Sequence, residues 1–336
     1  MPIMTRSSFF LLPGLFALAL VLPASGSAGI ELKQWEVPWP NTRPRDPYVA
    51  PDGTVWFVGQ GGHYVAAFDM DSEEFRRIDL VDGAGPHTVV VDADGTPWYA
   101  GNRVAHIGRI DTASGEITVF PTPEPAGRDP HTMAVTGDGK LWFTAQWGNT
   151  IGHLDTSSGE VRLVESPVAQ SRPYGLKLDS DGHPWAVAFG TNALLTVDPA
   201  TMRLKKIELP HAESRPRRLE IDARDRIWYV DYARNQLGRH DPASGEFAEW
   251  PTPGGQHSAP YAMAQDAQGR LWYSETGADP VYLVVFDIDS EQVISRAAIP
   301  GGGGSIRHMH YDKERDLVWF GTDRNMIGWA RLADTD

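Results

Sequence analysis

Beyond residue 29, the apolar residues of this chain fall in short runs broken by turn signals, and no stretch of helical periodicity of useful length appears. A short, largely apolar run lies before most of the Asp-Gly turns. A tryptophan-centred run lies after them, as in AVTGDGKLWFTA from Ala134 to Ala145. Asp-Gly supplies the positive φ of a tight hairpin, so each pair of runs predicts two antiparallel strands. Each unit then continues through further turn signals. These are Asn-x-Ile/Leu-Gly (149–152, 235–238, 325–328) and an Asp-x-x-Ser-Gly-Glu segment (111–116, 155–160, 241–246). Each unit thus predicts about four short strands.

Seven tryptophans mark the register of these units: Trp56, Trp98, Trp142, Trp185, Trp228, Trp272 and Trp319, spaced 42 to 47 residues apart. A proline opens most units, at Pro47, Pro86, Pro130, Pro173, Pro216 and Pro260. A single four-stranded sheet cannot bury both faces, whereas seven stacked around an axis bury them against one another. The predicted fold is all-β, a seven-bladed β-propeller. The last repeat stops one strand short, after MIGWARL. The segment IELKQWEVPWP from Ile30 resembles the fourth-strand text of the fifth repeat, GEFAEWPTP. A strand over about 30–38 is therefore expected to pair with 325–332 and close the ring.

Composition narrows the chemistry. The 336 residues carry a formal charge of −14 and no cysteine. Such acidity disfavours nucleic acid as a partner, and disulfides, thiolate catalysis and cysteine-bound metal are excluded. The N-terminus has a basic start, a mostly apolar run from Phe9 to Leu22 and small residues before Gly29. Residues 1–28 read as a secretory signal peptide, leaving 29–336 as the mature propeller. The mature chain is then expected in the periplasm or outside the cell, as a soluble monomer without a membrane span.

In a propeller the innermost strands line the central channel. The residue after each opening proline is expected at the channel mouth: Tyr48, His87, His131, Tyr174, Arg217, Tyr261 and, from its distance to Trp319, His308. The first unit reads as three residues short, so Tyr48 is placed by its proline. Polar groups converging in a concavity mark a candidate ligand site. A second ring lies three residues past each tryptophan. Its early members are small (Gly59, Gly101, Ala145, Ala188), and its later ones are Asp231, Glu275 and Thr322, with Asp323 beside the last. Asp231 is open to an ion pair with Arg217 or Arg218, and His310 to sharing a strand face with His308.

The proline-led inner strand, the Asp-Gly turn and LWFTAQWGNTIGHLDTSSGE from Leu141 to Glu160 resemble the repeats of the virginiamycin B lyase (streptogramin lyase) family, over about residues 30–332. The resemblance implies a carbon–oxygen lyase that opens a cyclic depsipeptide at its ester by elimination, with magnesium polarising a carbonyl. It implies His308 as the base and matches Tyr48 to a tyrosine of the first blade. Other functional positions of the family fall on Tyr261, Ile306 and Thr322 here, which leaves Glu275 and Asp323 as the candidate metal ligands. His87, His131, Tyr174, Arg217, Asp231 and Tyr261 are candidate binding residues. The alternative is a non-catalytic propeller that binds a small molecule, glycan or protein partner at the channel mouth. A calcium-dependent lactonase would need Asp, Asn and Glu ligands converging on one ion, whereas Asn149, Asn192 and Asn235 read as turn residues.

Overall fold

The computed structural model describes residues 4–5 and 29–333. The expected signal peptide lies outside them apart from Met4–Thr5, a two-residue strand that pairs with Ile117 and Thr118. Seven antiparallel sheets make up the rest. Six are four-stranded meanders, over 44–79, 89–121, 130–165, 173–208, 216–251 and 260–298. The seventh takes three strands from 309–332 and its fourth from Ile30–Glu36. The sheets are the blades of a seven-bladed β-propeller.

The sequence pattern explains each strand's place. The second strands, such as Leu141–Ala145 (LWFTA) and Ile227–Asp231 (IWYVD), are buried on both faces. A strand covered on both sides needs a near-continuous apolar run, and such a run comes directly after the turn in these blades. The fourth strands, such as Val161–Glu165, are half exposed and carry charge. In four blades the indole N–H of the marker tryptophan donates to an aspartate six residues earlier: Trp98 to Asp92, Trp185 to Asp179, Trp228 to Asp222 and Trp272 to Asp266, at 2.8–2.9 Å. The other carboxylate oxygen of Asp92 accepts backbone N–H groups of Asp94 and Thr96, so one side chain fastens both the turn and the indole.

The Asn-x-Ile/Leu-Gly motif has two parts. Asn149, Asn235 and Asn325 take φ of 60°, 58° and 62°, the left-handed conformation that asparagine tolerates. The glycine is steric: a β-carbon at Gly238 would overlap the ring of buried Tyr229, as one at Gly152 would overlap Phe143. Gly238→Ala is therefore expected to cost about 1–3 kcal/mol, read as a lowered urea midpoint. An unchanged midpoint would show that the ring can move aside.

One compact unit comprises Tyr48–Arg215 and the other 29–47 with 216–333. In the first, the innermost strand Pro130–Val135 packs between Val89–Val91 and Pro173–Leu178. His106 is buried there, 2.9 Å from the Tyr99 hydroxyl. Burial pushes its pKa down to about 4, against a smaller opposing effect of the Val104 backbone. The folded state therefore refuses a proton that the unfolded chain accepts below about pH 6.5. Stability from this group is lost as pH falls from about 6.5 to 4, by about 3 kcal/mol. An NMR titration of the His106 ring is expected to give a midpoint near 4; a midpoint near 6.5 would contradict this.

In the second unit, the innermost strand Pro260–Gln265 packs between Pro216–Ile221 and Met309–Asp312. Ile30–Glu36 runs antiparallel to Met326–Leu332, with Ile30 opposite Leu332 and Trp35 opposite Ile327. This is the expected closure, with the first strand ending two residues earlier than expected and its partner beginning one residue later.

Candidate functional site

The residue after the proline owes its orientation to a β-bulge. In four blades the proline pairs with the residue three past the tryptophan: Pro130 with Ala145, Pro173 with Ala188, Pro216 with Asp231 and Pro260 with Glu275. The next pair is displaced by one, as in Met133 with Phe143, so His131 and Thr132 together face Thr144. Such a bulge turns side chains out of the regular alternation. The freed N–H of Thr132 is taken by the Thr144 hydroxyl at 3.2 Å, and that of Ala262 by the Ser274 hydroxyl at 3.0 Å. His131, Tyr174, Arg217 and Tyr261 each stand first in such a bulge.

In the first unit the structure brings three of the expected residues together. The rings of His87 and His131 lie 3.3 Å apart between centroids, and Tyr174 lies 4.2 Å from His131. Each histidine Nδ1 faces the hydroxyl of the adjoining threonine, Thr88 at 3.2 Å and Thr132 at 3.0 Å. All three rings are buried.

Tyr48 does not stand at the equivalent place. The first inner strand is Pro44–Val49, which starts twelve residues before Trp56, as Pro130 starts before Trp142. The first unit is thus not short: Arg45 holds the position after the proline, and Tyr48 lies three residues further in. Tyr48 packs against apolar cores that include Val89, Val90 and Met133. Burial raises its phenol above the usual range, and the Asp92 carboxylate adds to this.

In the second unit, Arg217 lies over two tyrosine rings, 4.2 Å from the Tyr232 centroid and 4.6 Å from that of Tyr261. Asp231 is buried, accepts the backbone N–H of Ala233 and Arg234, and lies 3.6 Å from the Arg234 guanidinium. Arg218 instead donates through Nε to the carbonyl of Arg307 at 2.9 Å and lies 3.6 Å from Asp46. Asp46 also accepts from Arg45 Nε at 3.0 Å. Arg45, Asp46 and Arg218 are 5%, 1% and 3% exposed, a buried charge cluster that the placement of Tyr48 by its proline had hidden. His308 is half-buried and immediately precedes the strand Met309–Asp312.

The two carboxylates expected to hold magnesium have other partners. Glu275 is 1% exposed. Its Oε1 accepts the Gly254 N–H at 2.7 Å and the Ser258 hydroxyl at 3.1 Å, and its Oε2 accepts Arg296 Nε at 2.8 Å. Asp323 lies past the end of its strand and pairs with Arg307 and Arg43. No group of three His, Asp or Glu side chains suited to a metal ion occurs among the described residues. A hard divalent cation needs several oxygen donors turned toward it, so this donor set does not fit magnesium. Glu275→Gln is expected to destabilise the fold by about 1–3 kcal/mol, because it removes the charged acceptor of Arg296, a side chain about one-third exposed. Equilibrium unfolding of the variant measures this; an unchanged stability would remove the structural role of Glu275.

Comparison with known proteins places this geometry. Virginiamycin B lyase from Staphylococcus aureus, as the selenomethionine protein, has a TM-score of 0.82 at 24% identity, over 90% of this chain and 100% of that one. The same figures hold for a catalytically inactive histidine-to-alanine variant of that lyase with quinupristin. A streptogramin B lyase structure matches with a TM-score of 0.82 at 22% identity, over 91% and 98% of the two chains. These likenesses speak to the fold. No curated protein sequence matches. The model of the virginiamycin B lyase family matches residues 30–330, nine-tenths of the sequence. The chain belongs to the virginiamycin B lyase family.

Proposed function

We propose that this chain is a lyase that opens a cyclic ester of the streptogramin B type by elimination, with His308 as the base. The observation that carries the reading is the place of His308, half-buried immediately ahead of the innermost strand of the last blade in a chain of this family. A related structure whose histidine-to-alanine variant is inactive supports it. The imidazole takes the proton from the carbon α to a carbonyl. The C–H electron pair becomes the new C=C π bond as the bond from the β-carbon to the ester oxygen breaks. The leaving carboxylate keeps that bond's electrons, and His308 ends as imidazolium. No water enters, and no step runs through a metal, because the donor set does not suit one. The N-terminal text supports action in the periplasm or outside the cell.

Incubation of the purified protein with quinupristin, then mass spectrometry, tests the reading. The expected product is ring-opened and unchanged in mass, since elimination adds nothing. A product heavier by one water would mean hydrolysis, and an intact ring would remove the activity.

A further inference from the structure

The backbone around His308 is held differently from its counterparts. In four blades, the proline ahead of the mouth residue is fixed by pairing with the neighbouring strand. In the last blade the ladder begins only at Met309, opposite Phe320, so His308 precedes it. The chain reaches His308 through Gly301–Gly304, all four with positive φ between 68° and 88°. Such a segment has little conformational preference of its own. Side chains from other blades hold it. The Ser274 hydroxyl donates to the Ile306 carbonyl at 3.0 Å, and Arg218 Nε to the Arg307 carbonyl at 2.9 Å.

Arg218 is an expensive choice for a purely mechanical tie. Burying a guanidinium is costly unless a carboxylate accompanies it, and here Asp46 does so, itself buried and held by Arg45. Asp46 has a φ of 50°, uncommon for a residue other than glycine. Arg218 is the second residue of its bulge, which frees it from the strand's alternation.

We infer that Arg218, anchored by Asp46, is a positioning residue: it fixes the peptide preceding His308 and so sets the imidazole for proton transfer. This rests on His308 being the base. Arg218 acts through the backbone, not on substrate. Arg218→Lys keeps the charge but loses the planar donor, and Arg218→Met loses both. Hydrogen–deuterium exchange of the unliganded protein is the first measurement. Amides of residues 305–310 are expected to exchange about tenfold faster in both variants and in Asp46→Asn, with the strand Leu141–Ala145 unchanged. The second is steady-state ring opening, where kcat is expected to fall by about 10–100-fold with KM nearly constant. Should Arg218→Met fail to fold, Arg218→Lys decides. Unchanged exchange over 305–310 would overturn the inference, and so would faster exchange with kcat intact. If the wild-type protein opens no ring, the proposed activity falls, while the exchange result still decides whether Arg218 holds this segment.

Discussion

Replacing His308 by alanine is expected to lower kcat for ring opening by about 10²–10⁴-fold, the usual worth of a positioned general base. KM and thermal stability should change little. The side chain is half-buried and lies ahead of the ladder, so its loss opens no large cavity. Glutamine at this position should be as inactive as alanine, since an amide cannot take the proton. Tyr48→Phe supplies the contrast. Its ring packs against apolar cores, so removing the hydroxyl should leave kcat near the wild-type value. Steady-state kinetics of the three variants on one substrate settles the matter. Full activity in His308→Ala would end the assignment of the base, and a collapse in Tyr48→Phe would restore the tyrosine to the chemistry.

Trp35→Ala is expected to destabilise the protein by about 3–5 kcal/mol, a large share of the net stability of an ordinary domain. Trp35 is 1% exposed and stacks on Trp319, with ring centroids 5.9 Å apart and planes inclined by 15°. Lys33 Nζ lies 4.5 Å from the same ring centroid. Trp35 is the largest buried anchor of Ile30–Glu36, which covers Met326–Leu332. Truncating it therefore empties a cavity and weakens the hold on a strand whose departure would leave a bare edge. Urea unfolding monitored by circular dichroism gives the number, and aggregation of the variant on mild heating is the expected companion. A loss under about 1 kcal/mol would mean that the N-terminal strand is held mainly by its ladder.

Several particulars of the fold were legible because they depend on local chemistry. Asp-Gly at 138–139, Asn-x-Ile-Gly at 149–152 and Ser-Gly at 158–159 specify turns through positive φ, which the backbone shows at Gly139, Asn149 and Gly159. The match between IELKQWE and the fourth strands predicted the pairing that closes the last blade. The place of Arg45 was equally legible but misread. Pro44 lies twelve residues before Trp56, the spacing that Pro86, Pro130, Pro173, Pro216 and Pro260 keep to their own tryptophans. Reading Pro47 as the opening proline moved the site from Arg45 to Tyr48. A second unused signal was the aspartate six residues before Trp98, Trp185, Trp228 and Trp272, which carries the indole.

The carboxylates were beyond such reasoning. Glu275 and Asp231 occupy equivalent places in consecutive repeats, yet Glu275 binds Arg296 and a loop at 254–258, whereas Asp231 caps its own turn beside Arg234. Repeat position fixes which face of a strand a side chain leaves from. It does not fix which arginine lies across from it, three residues on for Asp231 and 21 residues on for Glu275. The sequence by itself therefore determined the seven sheets, their turns and the joining of the two ends, because short apolar runs and turn chemistry are properties of neighbouring residues. Only the tertiary structure decided that Arg218 reaches the peptide before His308 and that Asp46 holds it there. Those contacts span 89 residues in one case and join different blades in both, and a bulge aims the arginine where no periodicity would place it.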